Sequence, residues 1–450
     1  MKTQSLVILG SAAGIALVLI GANQFHSANR SGQSVSALKA PVDGNGRQQE
    51  LGQAIGKTKD LDYESSVALN DPALAQAWGF KKSDAQKAQA ISQGDRSIVV
   101  AVIDTGVDAR HEDLASNLWR NPGETGKDAQ GRDKATNGID DDGNGYVDDI
   151  YGWNFVSENN DLSDNHGHGS HIAGIIGAEA GNGKGIAGVS PKVSLMILKY
   201  FDPKVPNTDN LRNTVNSIRY AIKNKADIIN YSGGGTEFSA EEKQAIEEAR
   251  RNGILFVAAA GNERSNSDQH KYYPADYGLN NIISVTAIDQ KTEVLPSSNF
   301  GTETVDLAAP GFNILSTLPG NAYGYMTGTS QATAFVTGAA VLVKAFHPEF
   351  DAYQIKKYIL ATGDANASLV TKTRTARRLN LYKSLTMLDS GVSASGVVAE
   401  NTRGLSSSYT MESSNGFESA AKIATFGKSL MQAVGSPEAK AGLKERLGEN

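Results

Sequence analysis

The sequence predicts an α/β protein, a three-layer sandwich with a mostly parallel central sheet flanked by helices, and two observations carry that expectation. Short β-branched apolar runs recur at residues 97–103 (SIVVAVI), 193–198, 228–231, 254–259 and 282–285, the composition of strands buried on both faces. Between them, residues 170–180, 210–223 and 240–252 space their apolar side chains as helices do. Strands that alternate with helices pair in parallel through right-handed crossovers and leave a helical layer on each face.

Taken in order, the chain opens with Lys2 and an apolar run over residues 6–22, the length of a signal-peptide core and slightly short for a membrane span. Residues 1–28 therefore read as a signal peptide or a membrane anchor, and the protein is expected to be secreted or extracytoplasmic. Residues 29–69 are polar and rich in Gly, Ser, Gln and Lys, a linker or short pro-segment. The character changes at Asn70. Pro72 and Trp78 precede a helical stretch at 84–91, then come the strand runs, an apolar helix at 332–346 and a last helix at 353–361. One domain is expected over 70–389. Residues 390–450 form an extension, Ser/Gly-rich at first and weakly amphipathic at 420–434.

Composition narrows the function. Hydrophobic residues at 40% and charged residues at 20% of 450 are close to the globular norm, enough for a large core. A net charge of -6, with no run of Lys or Arg, argues against nucleic acid as a partner. The chain has no cysteine, which excludes disulfides, zinc–thiolate sites and thiol nucleophiles.

Three segments carry chemistry. Residues 99–108 (VVAVIDTGVD) deliver Asp104 at the carboxyl end of a buried strand, where sites form in open parallel sheets, and Gly106 permits the turn that follows. Residues 165–174 (NHGHGSHIAG) surround His168 with small side chains where a helix begins. Residues 328–333 (GTSQAT) put Ser330 in the first turn of the apolar helix. Singly, each has a plain structural explanation: an Asp or Ser at a helix start is commonly a cap, and His166, His168 and His171 could hold a metal. Together they supply what a hydroxyl nucleophile needs, a base and a carboxylate that orients the base.

In these segments and their order the chain resembles the subtilisin family of serine peptidases, over roughly residues 70–388. The resemblance implies a serine endopeptidase. Ser330 would be the nucleophile, His168 the general base and acid, Asp104 the group that orients His168, and Asn262, in the segment FVAAAGNE, the oxyanion-hole donor. Ser170 stands where the family usually has Thr, and Gln331 where Met is common. The resemblance also implies that Ser232, Gly233 and Gly234, after the strand at 228–231, pair with the substrate backbone, as an added strand would. Ala259 and Gly261, with residues 273–275, would line the primary pocket. Gly233 replaces a larger apolar residue, so wider apolar subsites are expected.

Calcium is the expected cofactor. In residues 137–149 (NGIDDDGNGYVDD), Asp140, Asp142 and Asn144 followed by Gly145 reproduce the alternating oxygen ligands that open an EF-hand loop, with Asp148 placed as a further ligand. The terminal bidentate Glu is absent and Tyr151 takes its place, so the reading is an isolated loop. The resemblance implies a second site at Asp113 and Asn182. Gly183, Gly185 and Gly188 form a GxGxxG, but it follows a helix and precedes a strand, the reverse of dinucleotide binding. The expected partners are protein or peptide substrates, met by a monomer. The rival reading, a proteolytically silent binding or scaffold protein on the same fold, would be favoured by a missing triad member, and none is missing.

Overall fold

The structure, a computed structural model, describes residues 69–387. The expected signal peptide or anchor, all but the end of the linker and the C-terminal extension lie outside the described residues. Among the described residues the strands are β1 (Gly94–Asp104), β2 (Gly152–Asn154), β3 (Lys192–Lys199), β4 (Ile228–Tyr231), β5 (Leu255–Ala259), β6 (Ile282–Ile288), β7 (Leu307–Pro310), β8 (Ile314–Leu318), β9 (Ala322–Met326), β10 (Asp364–Ala365) and β11 (Arg377–Arg378). The helices are α1 (Trp78–Lys82), α2 (Ala85–Gln89), α3 (His168–Gly177), α4 (Asn210–Lys223), α5 (Ala240–Arg251), α6 (Thr329–Phe346), α7 (Ala352–Thr362) and α8 (Leu381–Thr386).

Nine strands form one sheet in the order β10-β11-β7-β6-β5-β4-β1-β3-β2. Its pairings are parallel except β10 with β11. Successive side chains of a strand point to opposite faces, and β1 shows how one sequence serves two cores. Val100 and Val102 join Leu255, Val257 and Ile283 against Ile172 and Ile176 of α3 and Val336 and Ala340 of α6. Ala101 and Ile103 join Met196, Leu198 and Phe256 against Ile218 of α4 and Ile246 of α5. The expected three-layer α/β sandwich is therefore present, with α3 and α6 on one face and α4 and α5 on the other.

Several boundaries differ from the sequence reading. α3 begins at His168, two residues earlier than the apolar spacing suggested, because the small polar residues 168–170 extend the helix into the site. α7 does not close the domain: the chain returns through β11, which pairs with β7, and ends in α8. Strand order runs in opposite directions on the two sides of β1, so the carboxyl end of β1 is the topological switch point of the sheet, where a crevice opens.

Candidate active site

Asp104, the last residue of β1, lies in that crevice and is 2% exposed. After it Gly106 takes a left-handed φ of +108°, and a side chain there would collide with the carbonyl of Leu162. The turn lets Asp104 Oδ1 approach His168 Nδ1 to 2.7 Å. His168 is the first residue of α3, likewise 2% exposed. Burial alone would lower its pKa, but the charge of Asp104, the hydrogen bond with it and the charge of Asp164 prevail and hold it above the ordinary histidine value. The pair can therefore take up a proton readily at Nε2, the ring nitrogen left over.

Ser330 occupies the first turn of α6, 4% exposed, and its hydroxyl donates to the carbonyl of Ser232 at 3.1 Å. Here the first N–H groups of α6 lack partners within the helix, a position that favours negative charge. Asn262 follows β5, and its Oδ1 accepts the N–H of Thr329 at 3.1 Å, which anchors the side chain at the start of α6 and leaves the amide nitrogen as the donor. A buried carboxylate–imidazole pair, a hydroxyl at a helix start and a free amide donor together can perform acyl transfer.

The comparisons agree. The profile described as "Subtilase family" matches residues 95–382. The chain belongs to the subtilase family. It is a serine endopeptidase. It is 37% identical to the major intracellular serine protease of Bacillus subtilis, over 66% of this chain and 82% of that one. It is 32% identical to subtilisin DY of Bacillus licheniformis, over 63% of this chain and 90% of that one. With subtilisin-like protease 1 of Plasmodium berghei the identity is also 32%, but the match covers only 52% of that protein.

Within this subtilase, of the other two clustered histidines, His171 has a structural hydrogen bond. His171 Nε2–H donates to the carbonyl of Ile314 at 2.9 Å, tying α3 to the β8–β9 hairpin, and burial pushes its pKa down to about 3. His166 has its ring centre 6.1 Å from that of His168, and burial lowers its pKa. Sequence reasoning missed Asp164, which organises the whole loop. Its Oδ1 accepts the N–H of Gly167 at 2.7 Å and the hydroxyl of Thr105 at 2.9 Å, and its Oδ2 accepts the hydroxyl of Ser170 at 2.7 Å. Thr105 in turn accepts the N–H of Gly169. An acid shortly before a helix start was the available signal. Gln331 is 1% exposed, and its Nε2 has no hydrogen-bond partner.

The segment with Ser232, Gly233 and Gly234 leaves β4 beside Ser330, and Ala259, Ala260 and Gly261 leave the adjacent β5 toward Asn262. The expectation of wider subsites at Gly233 is corrected. The space a side chain would fill there holds the hydroxyl of Tyr200 and the ring of Tyr231.

The acidic loop is assembled differently from the EF-hand pattern. Asp140 turns inward to accept the N–H groups of Asn144 and Gly145, at 3.0 and 2.7 Å, and Asp148 accepts that of Gly138. Asp140 also shares the N–H of Asn144 with Asp142, whereas Asp148 makes no such link. The carboxylates that converge on Asp142 are Glu124 and Asp149, each offering an oxygen within 4.8 Å of the others. Asn144 contributes its amide, 2.9 Å from Asp149. Glu124 is fully buried, and its Oε2 lacks any hydrogen-bond partner. Burial, with the charges of Asp149, Asp141 and Asp142, pushes its pKa up to about 7. Asp113 and Asn182 are brought together at 2.8 Å, but Asp113 also accepts the N–H of Ile186 and the hydroxyl of Tyr323. Across the loop that contains Asn182, Asp71 accepts the N–H of Gly181.

Proposed function

We propose that this subtilase cleaves peptide bonds in proteins through an acyl-enzyme. The observation that carries the reading is the buried Asp104–His168 pair, 2.7 Å apart, whose histidine opens a helix that packs against α6, and the first turn of α6 carries Ser330. Asp104 accepts Nδ1–H and so leaves the lone pair of His168 on Nε2. Ser330 gives its proton to Nε2 as its oxygen attacks the carbonyl. The oxyanion is met by the amide of Asn262 and the N–H of Ser330, and His168 then returns the proton to the leaving amine. Water repeats the sequence to release the acid. The substrate chain lies along Ser232–Gly234. The direct test is a fluorophosphonate probe followed by mass mapping. An adduct on Ser330 supports the reading, and no adduct in folded protein would sink it.

The amide of Asn262 has a separable effect. Asn262→Ala is expected to lower kcat by about 10²–10³-fold, the size known for such a donor in subtilisin itself, with KM nearly unchanged. Steady-state kinetics on a peptide anilide check this, and a change confined to KM would assign Asn262 to ground-state binding.

Calcium is proposed as a structural staple. The orphaned oxygen of Glu124 and the crowding of Asp142 and Asp149 suit a hard divalent cation with oxygen ligands. When bound, the ion would offset the mutual repulsion of the three carboxylates and hold the loop. The Asp113–Asn182 pair is a second place, which requires an ion to displace the donors now on Asp113. Calcium at about a hundred times its Kd adds about 2.7 kcal/mol. At about 2.1 cal/mol/K of unfolding entropy per residue, a domain of this size answers with about 1.5 °C per kcal/mol. Chelation is thus expected to lower Tm by about 4 °C, and Glu124→Gln to remove that dependence. A Tm indifferent to chelator would refute the staple. Export through residues 1–28 is proposed on Lys2 and the apolar run, with the N-terminus of the purified protein as its test.

A further inference from the structure

We infer that Tyr272 closes the recess meant for the side chain of the residue whose carbonyl is attacked, so that this peptidase cleaves after glycine, alanine or serine. The inference rests on the reading of Ser330 and Asn262 given above.

Ser330 and the amide of Asn262 fix where the attacked carbonyl sits. The residue that owns this carbonyl lies against the segment leaving β4, since the Ser330 hydroxyl is 3.1 Å from the carbonyl of Ser232. Its side chain then projects into the gap between two extensions, one from β4 and one from β5. These strands pair directly, Tyr231 opposite Ala258, so the gap between their continuations is a single recess with Ser232–Gly235 on one side and Ala259–Gly261 on the other.

The ring of Tyr272 touches both walls of that recess. A Cβ on Gly234 would run into its Cε1, and a Cβ on Gly261 would lie 2.9 Å from its Cδ2. Both glycines have positive φ, +155° and +100°, so their backbones bend around the ring where side chains could not. Tyr272 is 5% exposed. Its backbone is pinned on both sides. Its N–H donates to Asp276 at 2.8 Å, and the next residue exchanges hydrogen bonds with Gly235, at 2.7 Å from the Tyr273 N–H and 2.9 Å from the Gly235 N–H. Beside it, Tyr200 and Tyr231 pack edge-on, ring centres 5.4 Å apart, under Gly233. A floor of three rings, one held at both ends, leaves room for a methyl or hydroxymethyl group and excludes an aromatic one. Packed interiors of this kind do not yield by small displacements.

The test uses the full chain and two peptide anilides that differ only in the residue bearing the anilide, Ala or Phe. Wild type is expected to favour Ala by about tenfold or more in kcat/KM, a modest demand on a steric pocket. Tyr272→Phe, which keeps the ring, should preserve that ratio. Tyr272→Ala should raise kcat/KM for Phe and reverse the preference. Equal or better cleavage of the Phe peptide by wild type overturns the inference. So does an unchanged ratio in a Tyr272→Ala protein that reacts with the fluorophosphonate at the wild-type rate. Should Tyr272→Ala fail to fold, mapping the cleavage sites of wild type in a denatured protein decides: small residues before the cut support the inference, large apolar ones refute it. Wild type that neither labels nor cleaves any peptide would instead remove the peptidase reading itself.

Discussion

Ser330→Ala is expected to lower kcat by about 10⁶-fold, the loss seen when subtilisin's own nucleophile is removed, while leaving the protein folded. The hydroxyl makes one hydrogen bond, to Ser232, and the side chain is small, so the cost in stability is about 1 kcal/mol. Activity and Tm measured on the same preparation check both halves. What survives is the contribution of the Asn262 amide and of substrate binding, which still act on a bound peptide attacked by water. A variant that kept more than a small fraction of wild-type turnover would show that another group is the nucleophile. The nearby hydroxyls of Thr329 and Ser232 would then be examined first.

Asp104→Asn is expected to cost about 10⁴-fold in kcat, because an amide facing Nδ1 favours the wrong tautomer of His168. It also has a signature in pH. Reaction requires neutral His168, so rate rises as pH climbs through its pKa. In the wild type the charge of Asp104 holds that pKa above the ordinary histidine value against the opposing effect of burial. Removing the charge lets burial prevail, so the acidic limb of kcat/KM should move to lower pH even as the plateau falls. A limb that stays in place would mean that a group other than His168 controls it.

What was legible in the sequence follows physical lines. β1, β3, β4, β5 and β6 are buried on both faces, so their composition alone marks them. β8 and β9 escaped because the hairpin is half-exposed and interrupted by Gly320 and Gly324, which dilute any period. The segments that hold the proposed triad and Asn262 stood out because each is short and its small neighbours serve close packing. The carboxylate cluster was not, since Glu124 comes from a separate turn and reaches Asp142 and Asp149 only in the folded chain. The same holds for Tyr272. A tyrosine before Tyr273 and Pro274 carries no local sign that its ring fills the space between two glycine-bearing segments.

The residues proposed to do the chemistry are far apart along the chain, His168 64 positions from Asp104 and Ser330 98 positions beyond Ser232. The proposed nucleophile arrives on α6, whose buried side chains pack against the sheet. A ribosome adding about 5–20 residues per second therefore displays the acid and the base on the order of ten seconds or more before the serine is made. On the proposed mechanism the nascent chain has no nucleophile during that interval, and cleavage waits for α6 to pack, so the order of synthesis acts as a safety catch.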